Sequence, residues 1–138
     1  MIGGMSSSFP PDTLFGLSIP LATTFGLQGE AVGDDQARVR LPFNPAYANS
    51  RGDVHGGALS VLFDCGLAAA VRSHAPVQFG VATIDLSIHF VAAARGDVVC
   101  TARCERRGRS ISFARGEAHD AEGTLVALAT GSFKLMER

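Results

Sequence analysis

Apolar and polar residues alternate with a period of two along several stretches of the chain, the repeat of a strand with one covered face. Ala37, Val39, Leu41 and Phe43 alternate with Gln36, Arg38, Arg40 and Pro42, which predicts a half-buried strand. Over 80–91 the even positions Ala82, Ile84, Leu86, Ile88 and Phe90 are apolar, and Thr83, Asp85, Ser87 and His89 stand between them. The even set is expected to face the core. Over 97–105, Val98, Cys100, Ala102 and Cys104 oppose Val99, Thr101, Arg103 and Glu105. The segments 109–119 and 124–135 have blurred alternation, as central strands covered on both faces do. Arg107-Gly108 and Glu122-Gly123 sit where hairpin turns belong, so the last four strands are expected to form a meander.

One segment breaks the period. Residues 56–73, GGALSVLFDCGLAAAVRS, contain no proline and are rich in Ala and Leu, which predicts a helix of about five turns. It is apolar nearly all round, so it is expected to be buried rather than to lie on a surface. A loop rich in Asn, Pro and Gly (44–53) precedes it. Upstream, 13–27 is apolar but interrupted by Gly16, Pro20 and Gly26, with a short helix or turn near Leu14–Leu17. Residues 1–12 hold a Gly pair, three serines and a Pro pair and are expected to be a flexible tail, leaving 13–138 as one domain. The order is strand, loop, one long buried helix, then four antiparallel strands. A lone apolar helix must be wrapped by the sheet available, so the expected class is α+β with a hotdog architecture. A cone-shaped NTF2-like or cystatin-like sheet is the alternative, but those folds place their helices before the long strands.

Composition narrows the function. A chain of 138 residues, 46% hydrophobic and 18% charged, is long enough for a core without staples and is not disordered. Its formal net charge of −1 argues against a general nucleic-acid binder. Cys65, Cys100 and Cys104 form no CxxC, so neither a zinc knuckle nor a disulfide scaffold is expected; reduced thiols in a cytoplasmic protein are. MIGGMSSSFPPD lacks a basic start and an apolar run, unlike a signal peptide. No apolar stretch has the length of a membrane span; Val54–Val71 comes nearest, but carries His55 and Asp64.

Asp64 is the only charged side chain between Asp53 and Arg72, and a carboxylate within a buried helix is costly unless partners compensate. It is either a structural Asp bonded to its neighbours or a functional group. His55-Gly56-Gly57 opens the same helix. Gly56 and Gly57 would leave backbone N–H groups accessible where the helix dipole favours negative charge, which suits an anion or a developing oxyanion. The plainer reading is a turn that needs glycine. Gly56 and Asp64 are eight residues apart, or ~12 Å along a helix axis. A single reacting carbonyl must lie about 3 Å from both donor and base. One helix cannot arrange this, whereas two antiparallel copies can, so the spacing predicts a two-fold dimer with two shared sites.

Asn49-Ser50-Arg51-Gly52-Asp53-Val54-His55-Gly56-Gly57, followed by Asp64, resembles the motif of the hotdog-fold acyl-CoA thioesterases. The resemblance extends to Gly80–Asp85 and Gly123–Ala127 and covers about 35–135. It is nearest the phenylacetate-pathway (PaaI-type) branch of the 4-hydroxybenzoyl-CoA thioesterase superfamily. This implies that Gly56 N–H polarises the thioester carbonyl while Asp64 of the partner subunit acts as general base on water or attacks directly. It implies that Thr83 positions water, and that Asn49 and His55 orient the thioester or brace the loop. No cofactor is implied, since coenzyme A belongs to the substrate. Six of the twelve basic residues fall within 95–115, against Asp97 and Glu105. Arg106, Arg107 and Arg109 are candidates for the phosphates of coenzyme A, or else a solvated basic hairpin. Leu59, Phe63 and Leu67 are candidates for the acyl pocket. A homodimer, or a dimer of dimers, is the expected assembly, without nucleic-acid or membrane partners. Three other readings stand beside hydrolysis: a hotdog hydratase, a non-catalytic acyl-CoA-binding or sensing module, and a purely structural domain. His74, which follows the helix, reads as a favourable cap, His89 as a surface or subunit-contact residue and His119 as exposed near a turn, Cys100 and Cys104 as core, and Cys65 as a poorly activated thiol. No convincing metal-ligand cluster is seen.

Overall fold

In the computed structural model, which describes residues 9–138, helix α2 (Gly56–Val71) lies across one face of a six-stranded antiparallel sheet. The strands are β1 (Gln28–Gly33), β2 (Gln36–Leu41), β3 (Phe79–Phe90), β4 (Val98–Arg107), β5 (Ser112–Asp120) and β6 (Leu125–Glu137), in the spatial order β1-β2-β4-β5-β6-β3. A short helix α1 (Pro20–Thr24) and a 3-10 turn at Pro45–Tyr47 complete the chain. This is the hotdog arrangement expected from the order of elements.

The helix buries Leu62, Phe63, Leu67, Ala69 and Ala70 against Val39, Val98, Cys100, Ala102 and Ala118 of the sheet. The two layers approach closely because the contact residues are small. A Cβ added at Gly116 would lie 2.8 Å from Leu67 Cδ1, and one at Gly66 2.9 Å from Cys100 Sγ. The helix ends at Val71, two residues before the expected boundary, and Arg72 is its C-cap.

Three features depart from the sequence reading. Strand β1 was not anticipated, because Gly29 interrupts its apolar pattern; the Phe15 ring occupies the space a Cβ there would need. Asp34 and Asp35, both at positive φ, turn β1 into β2, the conformation a two-residue hairpin requires. The meander is three-stranded, β4-β5-β6, and β3 pairs with β6 at the far edge instead of with β4. Finally, β3 carries a bulge. Thr83 pairs with Phe133 and Asp85 with Ser132, which leaves Ile84 unpaired. An extra residue reverses the alternation. Val81 packs on the core before the bulge, and Leu86 and Ile88 after it. Ala82, Ile84 and Phe90, expected inside, are exposed, Ile84 by 53% and Phe90 by 55%.

Most of the tail expected over 1–12 lies outside the described residues; Phe9 packs edge-on against Phe15. Leu14 and Leu17 bond to each other in a tight turn, and the short helix follows at Pro20 rather than there. No helix among the described residues is long and apolar enough to cross a membrane.

Candidate active site

The loop before α2 is closed on itself by Asn49. Its Oδ1 accepts from the backbone N–H of Arg51 (2.9 Å) and Asp53 (3.1 Å), and its own N–H donates to the Asp53 carbonyl at 2.7 Å. Asp53 lies between Arg51 and Arg95, 3.7 and 3.9 Å from their Nε atoms. The loop delivers His55 as the N-cap of α2, where its Nδ1 accepts from Gly57 N–H at 2.7 Å. A ring nitrogen that accepts carries no proton, so the imidazole proton sits on Nε2, pointing away from the helix. The two glycines therefore differ. Gly57 N–H is taken by the cap, whereas Gly56 N–H has no acceptor among the described residues. Gly56 lies beside the exposed Phe90 ring, on a cavity of about 360 Å³ shared with Asn49, Asp53 and Leu59.

Two helical turns further on, Asp64 is half-buried, and its Oδ1 accepts from Thr83 Oγ1 at 2.6 Å. The bulge at Ile84 makes this contact possible. It turns Thr83 toward α2, whereas the uninterrupted alternation assigns Thr83 to the polar face. Asp64 and Thr83 lie on a second cavity of about 290 Å³, walled by Leu17, Ile19, Ala68 and Val81. Cys65 adjoins it. Burial, then the neighbouring Asp64 charge, pushes its thiol up to about 11, so it is not a ready nucleophile. Arg72 closes the far end. Burial lowers its guanidinium to about 10, which still leaves it charged at neutral pH.

The donor and the carboxylate thus occupy separate cavities of one chain, ~12 Å apart along the helix. Along this side of α2 runs a stripe that its own sheet leaves incompletely covered: Gly57, Ser60, Val61, Asp64, Cys65 and Ala68. Gly56 and Asp64 thus lie at separate places on one open side of the helix.

The remaining candidates fall elsewhere. Arg107 donates to Asp35 Oδ1 (2.5 Å) and to the Val71 carbonyl (2.8 Å), tying the β4–β5 hairpin to the end of α2. Arg106 and Arg109, in and beside the same hairpin, make no ion pair among the described residues. Leu59 lines the cavity of Gly56, but Phe63 and Leu67 are fully buried between helix and sheet and line neither cavity. Cys100 and Cys104 are core thiols; burial pushes Cys100 up to about 12. His89 lies with Asp85 and Phe113 in a groove on the outer face of the sheet, away from α2. His74 stacks on Phe79, and no cluster of metal-binding side chains occurs among the described residues. Sequence reasoning missed Leu17, Ile19, Phe90 and Arg72. The first two come from a segment with no recognisable motif. Arg72 had one signal, a charge at the end of an otherwise apolar helix.

Comparison with known proteins gives a consistent answer. Residues 51–127 match the model of the Thioesterase superfamily. A Halobacterium salinarum protein provisionally named an esterase is 36% identical over 126 residues, covering 83% of each chain. The solved structure of a conserved Pseudomonas aeruginosa protein superposes with a TM-score of 0.79 at 31% identity, covering 86% of this chain and 94% of that one. The Escherichia coli PaaI protein, from the phenylacetic acid degradation operon, has the same fold (TM-score 0.76, 20% identity, 84% and 83% coverage). Family match, relatives and hotdog architecture agree that this chain belongs to the thioesterase superfamily.

Proposed function

We infer that the protein hydrolyses the thioester of an acyl- or aryl-coenzyme A to the free acid and the thiol. The observation that carries this reading is the Asp64 carboxylate, held by Thr83 at 2.6 Å on the edge of an apolar-walled cavity. A carboxylate that accepts one hydrogen bond from a hydroxyl keeps its remaining lone pairs for a water or a carbonyl carbon. In the general-base route, water adds to the thioester carbonyl carbon and Asp64 takes its proton. The C–S bond then breaks, and that proton returns to the sulfur leaving group. In the nucleophilic route, an Asp64 oxygen adds to the thioester carbonyl carbon, and the C–S bond breaks to release the thiolate and leave an anhydride. Water then opens that anhydride, regenerating the Asp64 carboxylate while its protons end on the free acid and the thiolate. Both routes place negative charge on the carbonyl oxygen. Gly56 N–H, without an acceptor among the described residues and at a helix N-terminus, suits that oxygen.

Because Gly56 and Asp64 of one chain are too far apart for one carbonyl, the reading requires an antiparallel pair of α2 helices, each covering the open stripe of the other. A dimer of dimers is compatible with the exposed outer face, where Phe113 is 48% exposed. Arg106 and Arg109 are the arginines of the hairpin best placed to meet coenzyme A phosphates, since Arg107 is engaged by Asp35.

Thiol release from short, aromatic and long acyl-CoAs, with wild type and Asp64→Ala, tests the proposal. Release by wild type and its loss in a folded Asp64→Ala variant are expected. Tight acyl-CoA binding without release would favour a binding module instead, and wild-type turnover by Asp64→Ala would overturn the mechanism.

A further inference from the structure

The far end of the Asp64 cavity carries a charge that the reaction does not use. Arg72 is 1% exposed yet lines this cavity together with Leu17, Ile19 and Val81. Its Nη1 donates to the carbonyls of Phe15 (3.2 Å) and Pro76 (2.5 Å), and its Nη2 to that of Leu14 (2.6 Å). These bonds staple the 14–19 segment onto the end of α2 and so hold Leu17 and Ile19 as a wall. They use three of five N–H donors. No carboxylate pairs with the guanidinium among the described residues, and residues 1–8 contain no acidic side chain. The groups that act on it electrostatically are the Cys65 thiol, pushed up to about 11 and so uncharged at neutral pH, and a second guanidinium, that of Arg138, which disfavours its charge. A buried cation without a counter-ion is costly, and an anionic ligand relieves that cost. The cavity therefore has apolar walls and a cationic end, two helical turns from the carboxylate that faces the thioester.

Building on the hydrolase reading above, we propose that Arg72 is a specificity determinant and that the acyl group this cavity selects ends in a carboxylate. The substrate class is the coenzyme A half-thioester of a dicarboxylic acid. Its methylenes would lie against Leu17, Ile19, Ala68 and Val81, and its terminal carboxylate would meet the spare donors of Arg72.

The test compares succinyl-, adipoyl- and suberoyl-CoA with butanoyl-, hexanoyl- and octanoyl-CoA, by thiol release and by calorimetric binding to wild type. At the length that fits, kcat/KM should favour the carboxyl-terminated member by about ten- to a hundredfold, the range of a hydrogen bond to a charged group. Arg72→Met should erase the preference. Because Arg72→Met also cuts the staple, Ile19→Glu provides a second route: it supplies a carboxylate to the cavity wall, leaves the staple intact and should abolish the preference too. Equal rates on both members of every pair, or a preference that survives in either folded variant, overturn the proposal while leaving hydrolysis standing. A binding preference for the carboxyl-terminated member with no thiol release from any substrate sinks the hydrolase reading and keeps the role of Arg72. Neither release nor binding preference overturns both.

Discussion

The proposal of a site shared by two subunits can be tested by breaking its halves in different chains. Asp64→Asn removes the base and keeps the shape. Gly56→Pro removes the N–H that has no acceptor among the described residues and little else, because Gly56 is the first residue of α2, where proline is favoured. The preceding residue, His55, has ψ of 141°, as a residue before proline should. Among the described residues the close neighbour of an added Cβ is the Phe90 ring at 3.4 Å, and that ring is 55% exposed. Loss of one oxyanion donor costs about 10²–10³ in kcat, so each homodimer should be nearly inactive. A heterodimer of the two variants, isolated through two affinity tags, holds one site with both groups intact and one with neither. It should recover about half of the wild-type rate, since the two sites of a two-fold dimer are equivalent. Thiol release measured on the purified heterodimer decides the matter. If it is as inactive as its parents, Gly56 and Asp64 do not act across an interface. If Gly56→Pro alone stays within about threefold of wild type, the amide is not the oxyanion donor at all.

Other outcomes follow from single contacts. Thr83→Val removes the 2.6 Å hydrogen bond to Asp64 from a solvent-exposed position, where water replaces part of it, so kcat/KM should fall by about tenfold, and Thr83→Ser should restore it. Cys65→Ala should keep turnover within about threefold, and alkylation of Cys65 at pH 8 should be slow, because the thiol sits near 11. Asn49→Ala leaves two backbone N–H groups of the loop unpaired and should lower stability by about 1–2 kcal/mol in urea titration, with a larger loss of activity than Thr83→Ser. Burial alone would raise the Asp120 carboxyl, but N–H donors from Arg95, Thr124 and Glu122 outweigh it and hold the carboxyl below its ordinary 3.8. A carboxyl depressed in the folded state stabilises above its unfolded value and loses that contribution as pH falls through the folded one. Asp120→Asn should therefore destabilise the protein at pH 7, and the difference from wild type should shrink as the pH drops below 3.8.

The architecture was readable because its central device is simple. One long apolar helix and several period-two segments admit few arrangements, and the helix Gly56–Val71 sits where its composition put it. What escaped the reading was non-local. Strand β1 spends a position on Gly29 because Phe15, from a distant turn, fills that space, and no local pattern encodes such a contact. The pairing of β3 with β6 rather than β4 depends on wrapping the helix, not on the residues of any one hairpin.

The site itself shows the same division, and the β3 bulge explains it. Asp64 and Gly56 stand out locally, as a lone charge and as a glycine opening a helix. Thr83 does not, because strict alternation assigns it to the polar face. With Ile84 left out of the ladder, the strand changes phase: Val81 and Thr83 face α2 before the bulge, and Leu86 and Ile88 after it. Without the bulge one of these pairs would have to turn outward, since a one-residue slip exchanges the faces. Either the carboxylate would lose its hydroxyl partner or the strand would lose its hold on the core. The irregularity that misled the pattern reading is thus the feature that lets one strand serve both core and site. The exposed Ile84 is the residue left over from that compromise.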